Sequence, residues 1–321
     1  MSNSESTTLV EREILATRLL EAPRELVFRV CTDTDHLAQW WGPSGFTTTT
    51  RRADIRPGGQ WRFVMHGPDG TDYENLITFL EVDAPRRLVY RHGASAEVEP
   101  VDFRVEVAFV EQGAKTRLTM RMVFASTEAR DRVIVKYGAL EGLEETMERL
   151  RDHVLMQDAF VIARSFEAPL DLVWKVHTQL AHLEKWWGPK GFEMFSSTLD
   201  LRPGGVFHYG LRTPQGQEMW GRFVYREIIP MKRLTFVISF SDAQGGITRH
   251  PGSADWPLEV LNAVTFSATG GKTTLTYRAA PVNASESERR TFKEGYKSME
   301  GGFSGTLDQL GEFLRSPDAG G

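Results

Sequence analysis

Gln39-Trp40-Trp41-Gly42-Pro43-Ser44-Gly45-Phe46 returns 146 positions later as Lys185-Trp186-Trp187-Gly188-Pro189-Lys190-Gly191-Phe192. Two adjacent tryptophans before a Gly-Pro turn do not recur by chance at about the length of one ordinary domain. The repeat extends outward from this turn. Ala22-Pro23 matches Ala168-Pro169, Arg56-Pro57-Gly58-Gly59 matches Arg202-Pro203-Gly204-Gly205, and Arg87-Leu88 matches Arg233-Leu234, all at the same offset. Lys115-Thr116 then matches Lys272-Thr273 at an offset of 157, so the second copy carries 11 extra residues, within Ser241 to Trp256. Its Gly- and Pro-rich composition reads as a long surface hairpin loop.

Each copy follows one order of elements. Glu13 to Leu20 is a β-prone run stopped by Pro23, which removes a ladder donor. Arg24 to Cys31 has helical spacing of its apolar residues, and Asp33 caps a second short helix carrying Leu37, Trp40 and Trp41. After the Gly42-Pro43 turn the apolar period changes to two. Strands follow through Trp61, Phe63 and Met65, Tyr73 to Val82, Arg87 to His92, Phe103 to Phe109 and Leu118 to Phe124, joined by Pro- and Gly-bearing turns. The copy closes on a helix predicted from about Glu128 to His153, with Leu140, Leu143, Met147, Leu150 and Val154 as a one-sided apolar stripe.

An antiparallel sheet of six to seven strands with one apolar face needs a cover, and this helix is the element that supplies it. The fold class is α+β, a sheet curled round a terminal helix, written twice. The second helix carries Phe292, Tyr296, Met299, Phe303, Leu307 and Leu310, interrupted by Gly301, Gly302 and Gly305. Each glycine costs ~1 kcal/mol against alanine in a helix interior. They point to close approach of the backbone to the sheet, or to space left for a guest. Leu155-Met156-Gln157-Asp158-Ala159 lacks linker composition. The expected domains are 9–155 and 156–316, packed as an intramolecular pseudo-dimer.

The 321 residues are 25% charged with net charge −5, so there is no basic footprint for nucleic acid or anionic lipid. A single cysteine, Cys31, on an apolar helix face, reads as a buried thiol in a reducing, cytoplasmic compartment. Met1 to Thr8 is not a signal-peptide pattern, no apolar run is long enough for membrane insertion, and Ser316 to Gly321 reads as a frayed tail.

Sequence motifs for catalysis are mostly missing. Gly270-Gly271-Lys272-Thr273-Thr274 has Phe266 where a phosphate loop needs glycine, and it joins two strands. There is no Gly-x-Ser-x-Gly elbow and no cysteine pair for zinc. His177 and His182, five apart, do not share a helix face. His36 and His182 precede the tryptophan pairs at equivalent positions; they either orient the turn or serve as a general base. Asp33/Asp35 and Glu144/Glu145 read as a capped helix start and a solvated face. No catalytic residue, metal or cofactor is assigned.

Aromatic density on inward faces is the stronger signal. Trp40, Trp41, Phe46, Trp61, Phe63 and Tyr73 in the first copy correspond broadly to Trp186, Trp187, Phe192, Phe207, Tyr209 and Trp220 in the second. They either fill a core or wall a cavity between sheet and helix for an apolar guest with a few oxygens. The longer loop and glycine-interrupted helix make the second copy the expected holder of an open cavity.

Arg18-x-x-Glu21-Ala22-Pro23-Arg24-Glu25-Leu26-Val27-Phe28, the Trp40-Trp41-Gly42-Pro43-x-Gly45-Phe46 turn, Arg56-Pro57-Gly58-Gly59-x-Trp61, Pro68-Asp69-Gly70, Pro85-Arg86-Arg87-Leu88 and Glu144-Glu145-Thr146-Met147-Glu148-Arg149-Leu150 resemble the bacterial activator of heat-shock protein 90 ATPase homologue domain. That family lies in the START, polyketide-cyclase and birch-pollen-allergen superfamily. The resemblance implies two tandem helix-grip domains and binding of a small hydrophobic or amphipathic ligand without chemistry of the protein's own. It also implies two alternatives: a cyclase- or hydrolase-like enzyme using pocket His and Tyr, and a chaperone-interacting module of the stress response. The N-terminal activating domain of the eukaryotic namesake has no counterpart before Glu13.

Overall fold

A computed structural model of the chain describes residues 6–93 and 102–320; the first five residues of the polar N-terminal stretch lie outside them. The chain divides after Gln157 into two compact units.

The first unit opens with strands β1 (Ser6–Val10) and β2 (Glu13–Leu20) and the short helices α1 (Arg24–Val30) and α2 (Thr34–Trp40). Six strands follow: β3 (Thr47–Ala53), β4 (Gln60–His66), β5 (Asp72–Asp83), β6 (Arg87–Gly93), β7 (Phe103–Gln112) and β8 (Lys115–Phe124). Helices α3 (Thr127–Tyr137) and α4 (Ala139–Leu155) close it. The second unit runs β9 (Phe160–Phe166), α5 (Leu170–Thr178), α6 (Leu180–Trp186), β10 (Glu193–Leu199), β11 (Val206–Arg212), β12 (Glu218–Ile229), β13 (Arg233–Ser241), β14 (Glu259–Thr269), β15 (Lys272–Val282), α7 (Glu286–Glu294) and α8 (Tyr296–Leu314). The two sheets are wholly antiparallel, in the orders β1-β2-β8-β7-β6-β5-β4-β3 and β10-β11-β12-β13-β14-β15-β9. In the first unit β2 pairs with the last strand, β8, and in the second β9 pairs with β15, so α1 and α5, which follow β2 and β9, pack against β7 and β8 and against β14 and β15. This is the expected α+β helix-grip architecture.

Three local expectations differ. The threonine-rich Ser6–Val10 adds an eighth strand to the first sheet by pairing with β2. The closing helix is two helices in each unit. Gly138 takes a left-handed conformation (φ 59°) that ends α3 and starts α4, a backbone state glycine enters without steric cost. Gly295 marks the corresponding break between α7 and α8. The C-terminal tail is not frayed: Pro317–Ala319 forms a 3-10 turn and Ala319 is buried in the second core.

Equivalent residues hold both units. One cap is not shared: Asp33 caps α2 by accepting from the Asp35 and His36 amides, whereas its counterpart Gln179 makes no side-chain cap on α6. The Thr116 and Thr273 hydroxyls donate to the Ala22 and Ala168 carbonyls, both at 2.8 Å. Arg87 pairs with Glu81 and Arg233 with Glu227 across the same two strands. In the Arg-Pro-Gly-Gly turns, a Cβ on Gly59 or Gly205 would land on the backbone carbonyl of Asp54 or Asp200. Only glycine fits there.

Gly301, Gly302 and Gly305 do not serve close packing. A Cβ at any of the three would meet nothing within 4 Å. They therefore only lower the helical preference of the first half of α8. We expect Gly305→Ala to raise the stability of the second unit by about 1 kcal/mol. Gly205→Ala should lower it by about 2 kcal/mol or more, since a backbone group must move. Denaturant unfolding followed by circular dichroism checks both signs.

Candidate ligand cavity

The first tryptophan of each pair belongs to the core. The Trp40 indole Nε1–H donates to the Val30 carbonyl at 3.1 Å, and that of Trp186 to the Val176 carbonyl at 2.9 Å. Each is buried at the end of α2 or α6, with its polar handle satisfied by the C-terminus of the preceding helix. The second tryptophan turns toward the sheet. Trp41 meets Trp61 and Phe63 at ring-centroid distances of 5.0 and 5.9 Å. Trp187 meets Phe223 at 4.9 Å and Tyr209 at 6.3 Å.

Trp187 and Tyr209 help line a cavity of ≈190 Å³ in the second unit. Its walls come from the inner faces of β11 to β15, from Phe292 on α7, and from Met299 and Phe303 on α8. The far end of the inserted loop closes it through Trp256, Pro257 and Leu258. The Trp256 ring packs on Phe292 at 5.3 Å, and Arg249 holds the loop by pairing with Glu288 and donating to the Trp256 carbonyl. An insertion that reads as a surface loop thus tucks its last residues against the helix. Leu258, 38% exposed, is the one exposed residue of the lining.

None of the lining residues carries a charge. The polar atoms are few. Burial pushes the Tyr209 phenol up to about 12. A Cβ on Gly221 would meet the Tyr209 hydroxyl at 2.5 Å, so glycine makes room for the ring. Asn262 donates to the Val260 carbonyl at 3.0 Å. Tyr277 is hydrogen-bonded to His177 Nε2 at 2.8 Å, and His177 Nδ1 lies 2.7 Å from the Val173 carbonyl.

The sequence-derived candidates divide by place. Trp40, Trp61, Phe63, Trp186 and Phe207 are fully buried core residues. Phe192 and Trp41 pack half-buried at the edges of their cores. Phe46 and Tyr73 pack against each other with tilted rings at 5.9 Å, and Tyr73 is 40% exposed. Trp187, Tyr209 and Trp220 contribute to the cavity lining, although the Trp220 ring itself stacks on His208. By strand register Tyr73 faces Met65 and Met219 faces Leu211, so Met219 rather than Trp220 is the counterpart of Tyr73. Sequence reasoning missed Met219, Ile238, Asn262, Trp256 and Tyr277.

The two flagged histidines lie elsewhere. His36 Nδ1 is 3.0 Å from His153 Nε2, and His182 is buried against the Phe313 ring. Neither lines the cavity. Cys31 is a half-buried free thiol, and burial pushes it well above the ordinary thiol range. Among the described residues no helix is long and apolar enough to cross a membrane.

A sheet wound round a terminal helix, built twice with an apolar cavity beneath the second helix, defines a tandem helix-grip protein. The chain belongs to the Activator of Hsp90 ATPase homolog 1-like protein family, whose profile matches residues 21–154 and again 167–315. No curated protein matches it. Among solved structures, protein Ms6760 from Mycobacterium smegmatis is 26% identical, with a TM-score of 0.41, covering 46% of this chain and 95% of its own. A protein from Arthrobacter aurescens is 24% identical, with a TM-score of 0.44 over 47% of this chain and 92% of its own. The di-domain ARO/CYC BexL from the BE-7585A biosynthetic pathway is 15% identical, with a TM-score of 0.45 over 95% and 99%.

Burial holds the His177 imidazole down to about 4, from an ordinary 6.5. The folded value is the lower one, so the unfolded chain binds the extra proton first. Stability from His177 is complete above pH 6.5 and is lost as pH falls toward 4. The loss is on the order of 3 kcal/mol. We expect His177→Leu to flatten this part of the second unit's stability–pH profile, measured by denaturant midpoints between pH 7 and 4.

Proposed function

We propose that this protein binds a small apolar or amphipathic molecule in the cavity of its second unit, without chemistry of its own. The observation that carries the reading is the ≈190 Å³ cavity walled by aromatic, aliphatic and methionine side chains with no charged residue in its lining. An engineered apolar cavity of about 150 Å³ binds benzene, so this space suits one substituted ring or a compact bicycle. Transfer of such a ring from water contributes roughly 25 cal/mol for each Å² of apolar surface removed.

The lining favours a neutral guest. An ionised group would lose its hydration and find no counter-charge. Met219 and Met299 supply adaptable surface at opposite walls, one on the sheet and one on α8. On this reading residues 156–316 form the binding domain, while 9–155 repeat the frame with a differently filled interior.

Two measurements test the proposal. Native mass spectrometry of the purified full chain should reveal a co-purifying small molecule, and titration with indane should change tryptophan emission through Trp187 and Trp256. Ala279 lies on the cavity wall and is buried, so Ala279→Phe should fill the space and weaken indane binding tenfold or more. A chain that carries nothing and shows no fluorescence change on indane addition sinks the proposal.

A further inference from the structure

The two tyrosines of the cavity differ in what they offer a guest, and the difference is fixed by their partners. His177 Nδ1 faces the Val173 carbonyl at 2.7 Å. A carbonyl oxygen only accepts, so Nδ1 carries the hydrogen. The ring is buried and neutral at physiological pH. Nε2 is then a bare acceptor, and the group 2.8 Å from it is the Tyr277 hydroxyl. Tyr277 must donate its only hydrogen to His177.

The surroundings lock this arrangement. His177 is packed between Trp186 at 4.8 Å and Phe266 at 5.2 Å. Burial raises the Tyr277 phenol well above its ordinary value while lowering the imidazole, so both shifts keep the proton on the tyrosine. Tyr277 therefore does not act as a base toward a guest. Its oxygen keeps its lone pairs, and a phenol that donates to an imidazole is a stronger acceptor in return.

We infer that the Tyr277 hydroxyl, oriented by His177, is a hydrogen-bond acceptor that selects a neutral ring-sized ligand bearing an O–H or N–H group. This rests on the cavity-binding reading and adds the chemical class of the guest. The first unit lacks the device: Cys31 and Met120 occupy the positions equivalent to His177 and Tyr277 at the two repeat offsets. Both replacements are apolar, so the first unit has neither member of the pair.

The test compares indan-1-ol, indan-1-one and indane on the full chain by isothermal titration calorimetry. Any hydrogen-bond donor in the cavity, such as Asn262, serves the alcohol and ketone oxygens alike. The alcohol-to-ketone affinity ratio therefore isolates the acceptor. Wild-type protein should favour indan-1-ol over indan-1-one about tenfold, the range of one net hydrogen bond. Tyr277→Phe should bring the ratio to about one. His177→Leu provides a second variant, replacing the imidazole by an apolar side chain of similar size. It frees the Tyr277 hydrogen to serve the ketone, so the ratio should fall there too. A wild-type ratio near one, or a preference that survives both substitutions, overturns the inference while indane binding keeps the cavity reading. No binding of any of the three overturns both.

Discussion

One hydrogen bond, made twice, fixes the frame: an indole N–H reaching the carbonyl at the end of the preceding short helix. Trp40 to Val30 and Trp186 to Val176 lock two helices into a corner. The corner sets where the Gly-Pro turn leaves, and the long helix then grips that turn. Arg149 donates to the Gly42 and Pro43 carbonyls in the first unit, while Gln309 and Thr306 donate to the Gly188 carbonyl in the second. Helix and sheet are thereby joined at one end, with the neighbouring tryptophan aimed beneath them. A buried indole N–H left without its carbonyl would cost about 1–3 kcal/mol, so burying either tryptophan holds its two helices at this angle.

The same frame encloses different interiors. In the second unit Gly221 and Ile238 face the space near Tyr209, and the cavity opens between them. At the equivalent positions the first unit has Asn75 and His92, whose side chains meet at 2.9 Å, the imidazole flanked by Phe63 and Phe103. Burial holds His92 down to about 4, as it does His177. Each unit thus holds a neutral histidine against its sheet, but His92 donates to the Asn75 amide oxygen and His177 receives from the Tyr277 phenol.

Architecture was legible because it depends on repeated local signals. The Trp-Trp-Gly-Pro turn, the Arg-Pro-Gly-Gly turn and the alternation through Trp61, Phe63 and Met65 each state a conformation within a few residues. The helix breaks at Gly138 and Gly295 were hidden because the apolar stripe runs on across them, as Phe292 and Leu307 show. The His177–Tyr277 contact was hidden for another reason: the partners lie 100 residues apart, on a helix and a strand. One signal could have exposed it. Aligning the copies puts Cys31 under His177 and Met120 under Tyr277, a paired change from apolar to polar that spatial contact explains.

The glycines of α8 separate the strength of the grip from the ease of entry. Leu307 and Leu310, in the second half of the helix, are buried in the core and anchor it. Met299 and Phe303, which wall the cavity, share their half with Gly301, Gly302 and Gly305, together about 3 kcal/mol less helical than alanine would be. Local opening draws on the least stable segments of a fold. The cavity wall can fray while the anchor stays docked, so the cavity can open without the sheet or its tryptophan corner coming apart.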